Sequence, residues 1–277
     1  LLLSNGVQKI QVFQSGTTKA DIVSVAHQYG NLMADAYNFL FVAGDPTNPN
    51  RIHYTQEGAW TTAPTTDWVF SGYVDIPGER KDLIVGLKQW GGNIYAIRTK
   101  DIWRVTGMPP TSLESHEALS TCGAVQQKGI VTTPFGMIFA DDVTIWWWKA
   151  EGTAPIDIGA AIQTQTGYAS SFSDAILGYY PTKQQVYVSY KSSASATYND
   201  KSAIFHFDKR RWTDSTIGAA AFLSYDGTSD NKRLYRLDSA TSGATQGVMY
   251  QMDTGLQDAG AAITKTITTK YHNFNDS

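Results

Sequence analysis

The sequence predicts an all-β protein built as a β-propeller of five to six blades. Three observations support this fold class. Runs of β-favouring residues recur in pairs at roughly 45 to 55 residues, an interval typical of propeller blades. Within many runs, apolar and polar residues alternate with period two, which is the pattern of half-buried strands. Turns rich in Gly, Asn, Asp and Pro separate the runs, and helical periodicity is nearly absent.

Five pairs of runs carry the pattern, each with a turn between a β-rich run and a second, aromatic-rich run. In chain order they are residues 39–44 with 51–54, 93–97 with 102–107, 136–140 with 144–148, 185–190 with 203–207, and 221–225 with 233–238. The polar stretch 192–201 is expected to be an exposed hairpin loop. Because a single blade cannot bury its own faces, the pairs are expected to stack in one ring.

The remaining segments predict how the ring begins and ends. Residues 23–37 carry a weak helical stripe, interrupted by Gly30 and Asn31, that predicts a short helical turn. Residues 1–15 look like the last hairpin of a blade, and residues 248–252 and 263–274 supply surplus strands. Pairing of N- and C-terminal strands would close the ring and leave no sheet edge exposed. We therefore predict one domain over residues 1–277. One expectation is that this chain is a fragment of a longer polypeptide.

Composition excludes several classes of function. The net charge of −3 over 277 residues argues against a protein that binds nucleic acid by neutralising phosphates, although DNA could slide past such a surface. The lone Cys122 provides neither a disulfide framework nor a Cys-based metal site. No apolar run approaches the ~18 residues that cross a membrane. No cofactor or metal is expected, since the histidines lack metal-ligand spacing: His27, His53, His116, His206 and His272.

Four stretches of the chain carry a resemblance to a known family. They are residues 2–13, with Asn5-Gly6 between two strands; residues 37–44 followed by 50–55; residues 85–107, which end in Ile-Trp-Arg-Val-Thr-Gly; and residues 129–148 and 156–159 with 179–213. These stretches resemble blades of the β-propeller tail proteins (nozzle, hub and stabilisation proteins) of short-tailed bacteriophages. The similarity is a pattern of blades over most of the chain, and family members are typically longer.

The resemblance implies a structural virion protein with no enzymatic activity. Such subunits form a homo-oligomeric ring, expected here to have six copies, that continues the DNA channel below the portal and adaptor. The ring retains the genome and conducts it out during ejection. The implied partners are copies of the chain itself, the portal, the adaptor, other tail proteins and passing DNA, without a membrane. The implied localisation is the phage tail.

Two local features predict an interaction surface. In a strand, Trp146 and Trp148 face one way and Trp147 the other, so two rings are expected to fill the gap between blades while the third packs on the opposite side. The same run also suits contact with a sugar or a neighbouring subunit, since Trp is frequent at interfaces. The basic run at Arg210 and Arg211 lies at a hairpin turn. It is either a solvated turn or a contact with DNA phosphate or an acidic neighbour.

Carboxylates keep a second class of function open. Asp141 and Asp142 sit in a turn between strands and could act as paired acids or a cation site, although Asp is also a common turn residue. Glycoside hydrolysis would need two carboxyl groups across a sugar cleft, for which Asp226, Asp238 and Asp253 are further candidates. The alternatives are therefore a glycan-binding or glycan-cleaving propeller (lectin-like or sialidase-like) and a general interaction scaffold. No enzyme is expected, because none of the eight Arg lies in a recognisable active-site motif.

Overall fold

The computed structural model describes residues 2–3, 11–13, 19–21, 30–58, 70–78, 83–110, 112–117, 120–165, 172–226, 232–239, 248–252, 257–258 and 261–262. Within these ranges the chain is almost entirely antiparallel β-sheet. The exceptions are the six-residue helix α1 (Ala160–Gln165) and the 3-10 turns Gln127–Gly129 and Pro181–Lys183. No helix in the described part is long and apolar enough to span a membrane. The predicted all-β class is confirmed.

The strands form small sheets in chain order. A three-stranded N-terminal sheet contains β1 (Leu2–Leu3), β2 (Gln11–Phe13) and β3 (Lys19–Asp21). Blade A contains β4 (Leu32–Ala36), β5 (Phe39–Ala43), β6 (Arg51–Thr55) and β7 (Phe70–Asp75), and blade B contains β8 (Gly86–Trp90), β9 (Asn93–Ile97), β10 (Ile102–Thr106) and β11 (Glu114–Glu117). Within each blade, every strand pairs with the next along the chain.

The second half of the chain repeats this plan. Blade C contains β12 (Ile130–Thr133), β13 (Gly136–Ala140), β14 (Ile145–Trp148) and β15 (Ile156–Asp157); blade D contains β16 (Ile176–Tyr180), β17 (Gln185–Tyr190), β18 (Lys201–His206) and β19 (Arg211–Ser215). Blade E contains β20 (Ala221–Asp226), β21 (Lys232–Leu237) and β22 (Met249–Gln251), and a last hairpin pairs β23 (Gln257–Asp258) with β24 (Ala261–Ala262).

The first strands of successive blades lie side by side, with β4 beside β8, β8 beside β12, β12 beside β16 and β16 beside β20. Two glycines permit this close approach: a Cβ on Gly86 would collide with Ile130, and a Cβ on Gly178 would collide with Phe222. The later strands of each blade extend outward from this inner row. The arrangement is a β-propeller, as the sequence predicts.

The hydrophobic cores lie between blades, because the two faces of each sheet are both covered by neighbours. Alternate residues of a strand therefore enter different cores. Representative pairs are Phe41 and Leu87 between blades A and B, Tyr95 and Trp148 between B and C, Trp147 and Phe205 between C and D, and Tyr180 and Leu234 between D and E.

Two expectations at the chain ends have different outcomes. The predicted helical turn is wrong over residues 32–36, because β4 pairs with β5 and places Leu32 in the core between blades A and B; residues 22–29 lie outside the described part. The predicted N-terminal hairpin is present, with Leu2 opposite Val12. Among the described strand pairs, none joins the two ends of the chain, so closure of the ring by terminal strands stays a prediction.

Candidate interaction surfaces

The three tryptophans of β14 point in alternate directions, as the sequence predicts. Trp146 and Trp148 face the core between blades B and C, and Trp147 faces the core between blades C and D. The indole N–H of Trp146 donates a hydrogen bond of 2.6 Å to Asp141 Oδ2. Trp147 and Trp148 each donate one of 2.9 Å, to the carbonyls of Phe135 and Thr153 respectively. Trp147 and Trp148 are buried, so only the half-buried Trp146 offers a partner substantial surface.

Asp141 builds the turn between β13 and β14. Its Oδ1 accepts hydrogen bonds from the backbone N–H groups of Val143 (2.7 Å) and Thr144 (2.6 Å), while its Oδ2 accepts the indole N–H of Trp146. This geometry is the local turn that Asp favours. Both oxygens of the carboxylate therefore hold the blade together, whereas the neighbouring Asp142 is exposed.

The other predicted carboxylates do not form a described cluster with Asp141. Asp238 lies on blade E, 3.7 Å from Arg236, with blade D between it and Asp141. The side chain of Asp226 and all of Asp253 lie outside the described part. In the described residues, no group of three His, Cys, Asp or Glu side chains is placed to hold a metal ion.

A Tyr, a Glu and an Arg meet between blades B and C. Tyr95 donates its hydroxyl hydrogen bond to Glu151, and Arg104 binds the same carboxylate. Tyr95 is only 1% exposed, and its ring packs against Trp90 and Trp148. Burial raises the pKa of Tyr95, and the hydrogen bond to Glu151 adds to the rise. The cluster therefore joins two blades through a neutral, inaccessible phenol.

Lys88 lies on β8, the innermost strand of blade B. Burial lowers the pKa of its ammonium group to about 8. No ion pair joins Lys88 to a carboxylate among the residues that the structure describes. An ammonium in this setting costs folding free energy, because burial removes water without supplying an opposite charge.

The connections between strands lie at two ends of the propeller. First-to-second and third-to-fourth strand turns lie at one end, called the lower end here; the remaining connections lie at the upper end. Side chains of different blades meet at each end, because neighbouring blades present equivalent turns there. The two ends differ in chemistry.

Five cations cluster at the lower end of blades D and E and form what we call the basic lower surface. Its members are Lys183, Lys209, Arg210, Arg211 and Lys232, and all five are exposed. The predicted interface residues Arg210 and Arg211 lie in and after the turn between β18 and β19. Sequence reasoning found this basic run but not Lys183 or Lys232, which join it through the fold.

The upper end of blade A carries two neighbouring clefts. One, of about 430 Å³, is lined by residues 47–51 and 75–78; the other, of about 410 Å³, is lined by Asn31, residues 44–46, Pro49, Leu83 and Ile84. At the first cleft, Arg51 donates two hydrogen bonds to Asp75, of 2.7 and 3.0 Å. The guanidinium carbon of Arg51 also lies 3.5 Å from the ring centre of Tyr73, which is 53% exposed.

Comparison with known proteins supports the fold. No family model matches the chain, and no curated protein matches it. Among solved structures, the chain is similar to one titled "YCF48 bound to D1 peptide", with 14% sequence identity and a TM-score of 0.53. The similarity covers 85% of this chain and 71% of that chain. At this identity the likeness shows a shared β-propeller fold and nothing about function.

Proposed function

We propose that this chain is a structural subunit of a tail ring in a short-tailed bacteriophage and acts through its surfaces. The proposal rests on one observation: side chains that could take part in chemistry are engaged in holding the fold together. Both carboxylate oxygens of Asp141 are used in a turn, and the hydroxyl of Tyr95 is buried between blades. Exposed cations such as Lys209 and Arg210 lie instead on a connection between strands. The resemblance of the blades to phage tail propellers supplies the biological setting.

In this proposal six copies form a ring around the axis of the phage tail. A head-to-tail contact between identical subunits closes into a ring when its rotation permits, and leaves a channel on the symmetry axis. The portal, the adaptor and other tail proteins are the neighbours, and DNA passes through the channel. A net charge of −3 per subunit suits a lumen that repels DNA and lets it slide.

Imaging of intact particles tests the proposal. We expect a reconstruction of virions carrying this chain to show propeller density in six copies around the tail axis. A matched preparation in which the chain is deleted should lack that density and should fail to retain packaged DNA. Finding the chain only outside particles, or as a lone subunit away from the symmetry axis, would contradict the tail-ring function.

The first cleft of blade A favours glycan binding as the second candidate. An exposed aromatic ring beside a planar cation and a carboxylate offers stacking and hydrogen bonds, which together suit a sugar. Binding to a glycan panel would support this function if Tyr73→Ala abolished it and Tyr198→Ala, at a similarly exposed tyrosine on blade D, did not. An absence of binding over the panel would reject it.

A further inference from the structure

The basic lower surface concentrates positive charge on a chain that is negative as a whole. The complete sequence has 22 Lys and Arg against 25 Asp and Glu, and five of those cations lie on this surface. Asp208 lies within the same turn, with its Oδ2 4.0 Å from the ammonium of Lys209. The side chains of Lys209 and Asp208 are both more than half exposed.

Hydrogen bonds to backbone carbonyls join the three segments that carry the cations. The N–H of Phe207 donates to the carbonyl of Gln184 at 3.3 Å, which joins the β18–β19 turn to the β16–β17 turn. The hydroxyl of Thr182 donates to the carbonyl of Lys232 at 2.8 Å, which joins blade D to blade E. The surface is therefore organised before any partner arrives, and less conformational entropy is lost on binding.

The titration of His206 reports the local field. Burial lowers the pKa of this imidazole, Asp208 opposes the change, and the cations Arg211, Lys209 and Lys183 lower it further. The positive side chains from two separate turns thus act on one point of blade D. A ligand that lowers this repulsion must carry negative charge.

One exposed aromatic ring lies near the cations, packed against the buried Phe207. Phe135, at the lower end of blade C, is 36% exposed, and its ring centre lies 4.6 Å from that of Phe207. Phe207 itself immediately precedes the basic turn. A partner that fits this arrangement combines carboxylates with an apolar side chain.

From these observations we propose that the basic lower surface docks a short acidic segment of a partner protein, with an apolar residue against Phe135. Arginine forks bind carboxylates with two parallel hydrogen bonds, and the lysines add point charges. A long nucleic acid is less suitable, because it would extend beyond the surface into the field of a chain whose net charge is −3. This inference goes beyond the tail-ring function and holds whether or not the chain forms a ring.

The test measures fluorescence anisotropy of a labelled peptide, poly-Glu of about twelve residues with one central Phe, titrated with the complete 277-residue chain. We expect binding that weakens as salt is raised, because the attraction is between exposed charges. The double variant Lys209→Glu/Arg210→Glu should lower the affinity by about tenfold or more. The matched variant Lys100→Glu/Lys128→Glu makes the same charge change at exposed sites of the upper end and should bind as the parent does.

Circular dichroism melting of both variants checks that they fold. Replacement of Phe135 by Ser should weaken the peptide with Phe but not one with Gly in its place, which separates docking from general attraction. Failure of the parent to bind the peptide, or equal losses in the two double variants, would overturn the inference. Tighter binding of a single-stranded oligonucleotide of equal length would identify nucleic acid as the partner and would also overturn it.

Discussion

Blade D contributes to two regions of opposite character, the aromatic core that it shares with blade C and the basic lower surface that it shares with blade E. In the core, Trp147 packs against Phe205 and Phe207, with ring centres 5.8 and 5.4 Å apart. At the lower surface, exposed cations lie on turns whose backbone atoms are hydrogen-bonded. The core depends on shape and the surface on charge, so the same sheet separates stability from recognition.

The largest effect is expected in the aromatic core. Trp147→Ala should lower the free energy of unfolding by about 3–5 kcal/mol, because it removes a buried ring and leaves a cavity between blades C and D. Chemical denaturation monitored by circular dichroism measures the change. Trp146→Ala is the matched control on the same strand and should cost less, since this side chain is already partly exposed. Equal losses would contradict the placement of the two rings in different environments.

A substitution on the innermost strand of blade B is expected to raise the free energy of unfolding, whereas Trp147→Ala lowers it. Lys88→Met keeps the aliphatic length of the side chain and removes its partly buried charge, so it should stabilise the protein by about 1–2 kcal/mol at pH 7. The folded pKa of about 8 lies below the 10.5 of the unfolded chain, so the cost of the ammonium is complete below pH 8.

The pH dependence of the Lys88 effect checks its cause. Between pH 8 and 10.5 the folded protein has already lost the Lys88 proton while the unfolded chain still binds it, so the cost in the parent protein falls as pH rises and is gone above 10.5. The stability advantage of Lys88→Met should therefore shrink over this range. A constant advantage, or a loss of stability at pH 7, would show that burial of the charge is not the cause.

A smaller effect distinguishes a structural carboxylate from an exposed one. Asp141→Ala should destabilise the protein by about 1–2 kcal/mol, because two backbone N–H groups and the indole N–H of Trp146 lose their acceptor. Asp142→Ala, at the next residue, should change stability by less than about 0.5 kcal/mol. Thermal melting measures both. A hydrolase activity on glycans that either substitution abolished would instead assign a chemical role to the pair.

The sequence predicts the middle of most blades better than their edges. In blades A to D, the predicted pairs correspond to the second and third strands, such as β17 and β18, whose residues are mostly buried. Fourth strands such as β19 are largely exposed and lack an apolar pattern, so periodicity does not identify them. Helix α1 was not predicted, because six residues are too few to display helical periodicity.

The candidate surfaces show the same division between local and long-range information. The alternation of Trp146, Trp147 and Trp148 follows from strand geometry and was predicted. The pair formed by Arg51 and Asp75 needs the register between β6 and β7, which places these residues opposite each other. Likewise, Lys232 joins the basic lower surface through the fold, where its carbonyl accepts a hydrogen bond from the hydroxyl of Thr182. Residue composition alone carries no such pairing.

The smallest effect belongs to His206, which lies where the aromatic core and the basic lower surface meet. Its ring nitrogens lie 3.1 Å from Gln185 Nε2 and 2.8 Å from Thr213 Oγ1. Burial and the neighbouring cations lower its pKa below the 6.5 of the unfolded chain. As pH falls from 6.5 toward the folded pKa, the unfolded chain takes up a proton first, so stability should decrease over this window and be unaffected by His206 above it.

A proton NMR titration, with the resonance assigned by His206→Gln, measures this pKa directly. In the parent we expect a midpoint below 6.5. Lys209→Glu replaces a nearby cation with an anion and should raise the midpoint by a few tenths of a unit, because charges at a surface are attenuated by solvent. Lys100→Glu, at the upper end, should leave it unchanged. A midpoint at or above 6.5 in the parent, or one that shifts equally in both variants, would mean that the cations of the lower surface do not act on His206 as a local cluster.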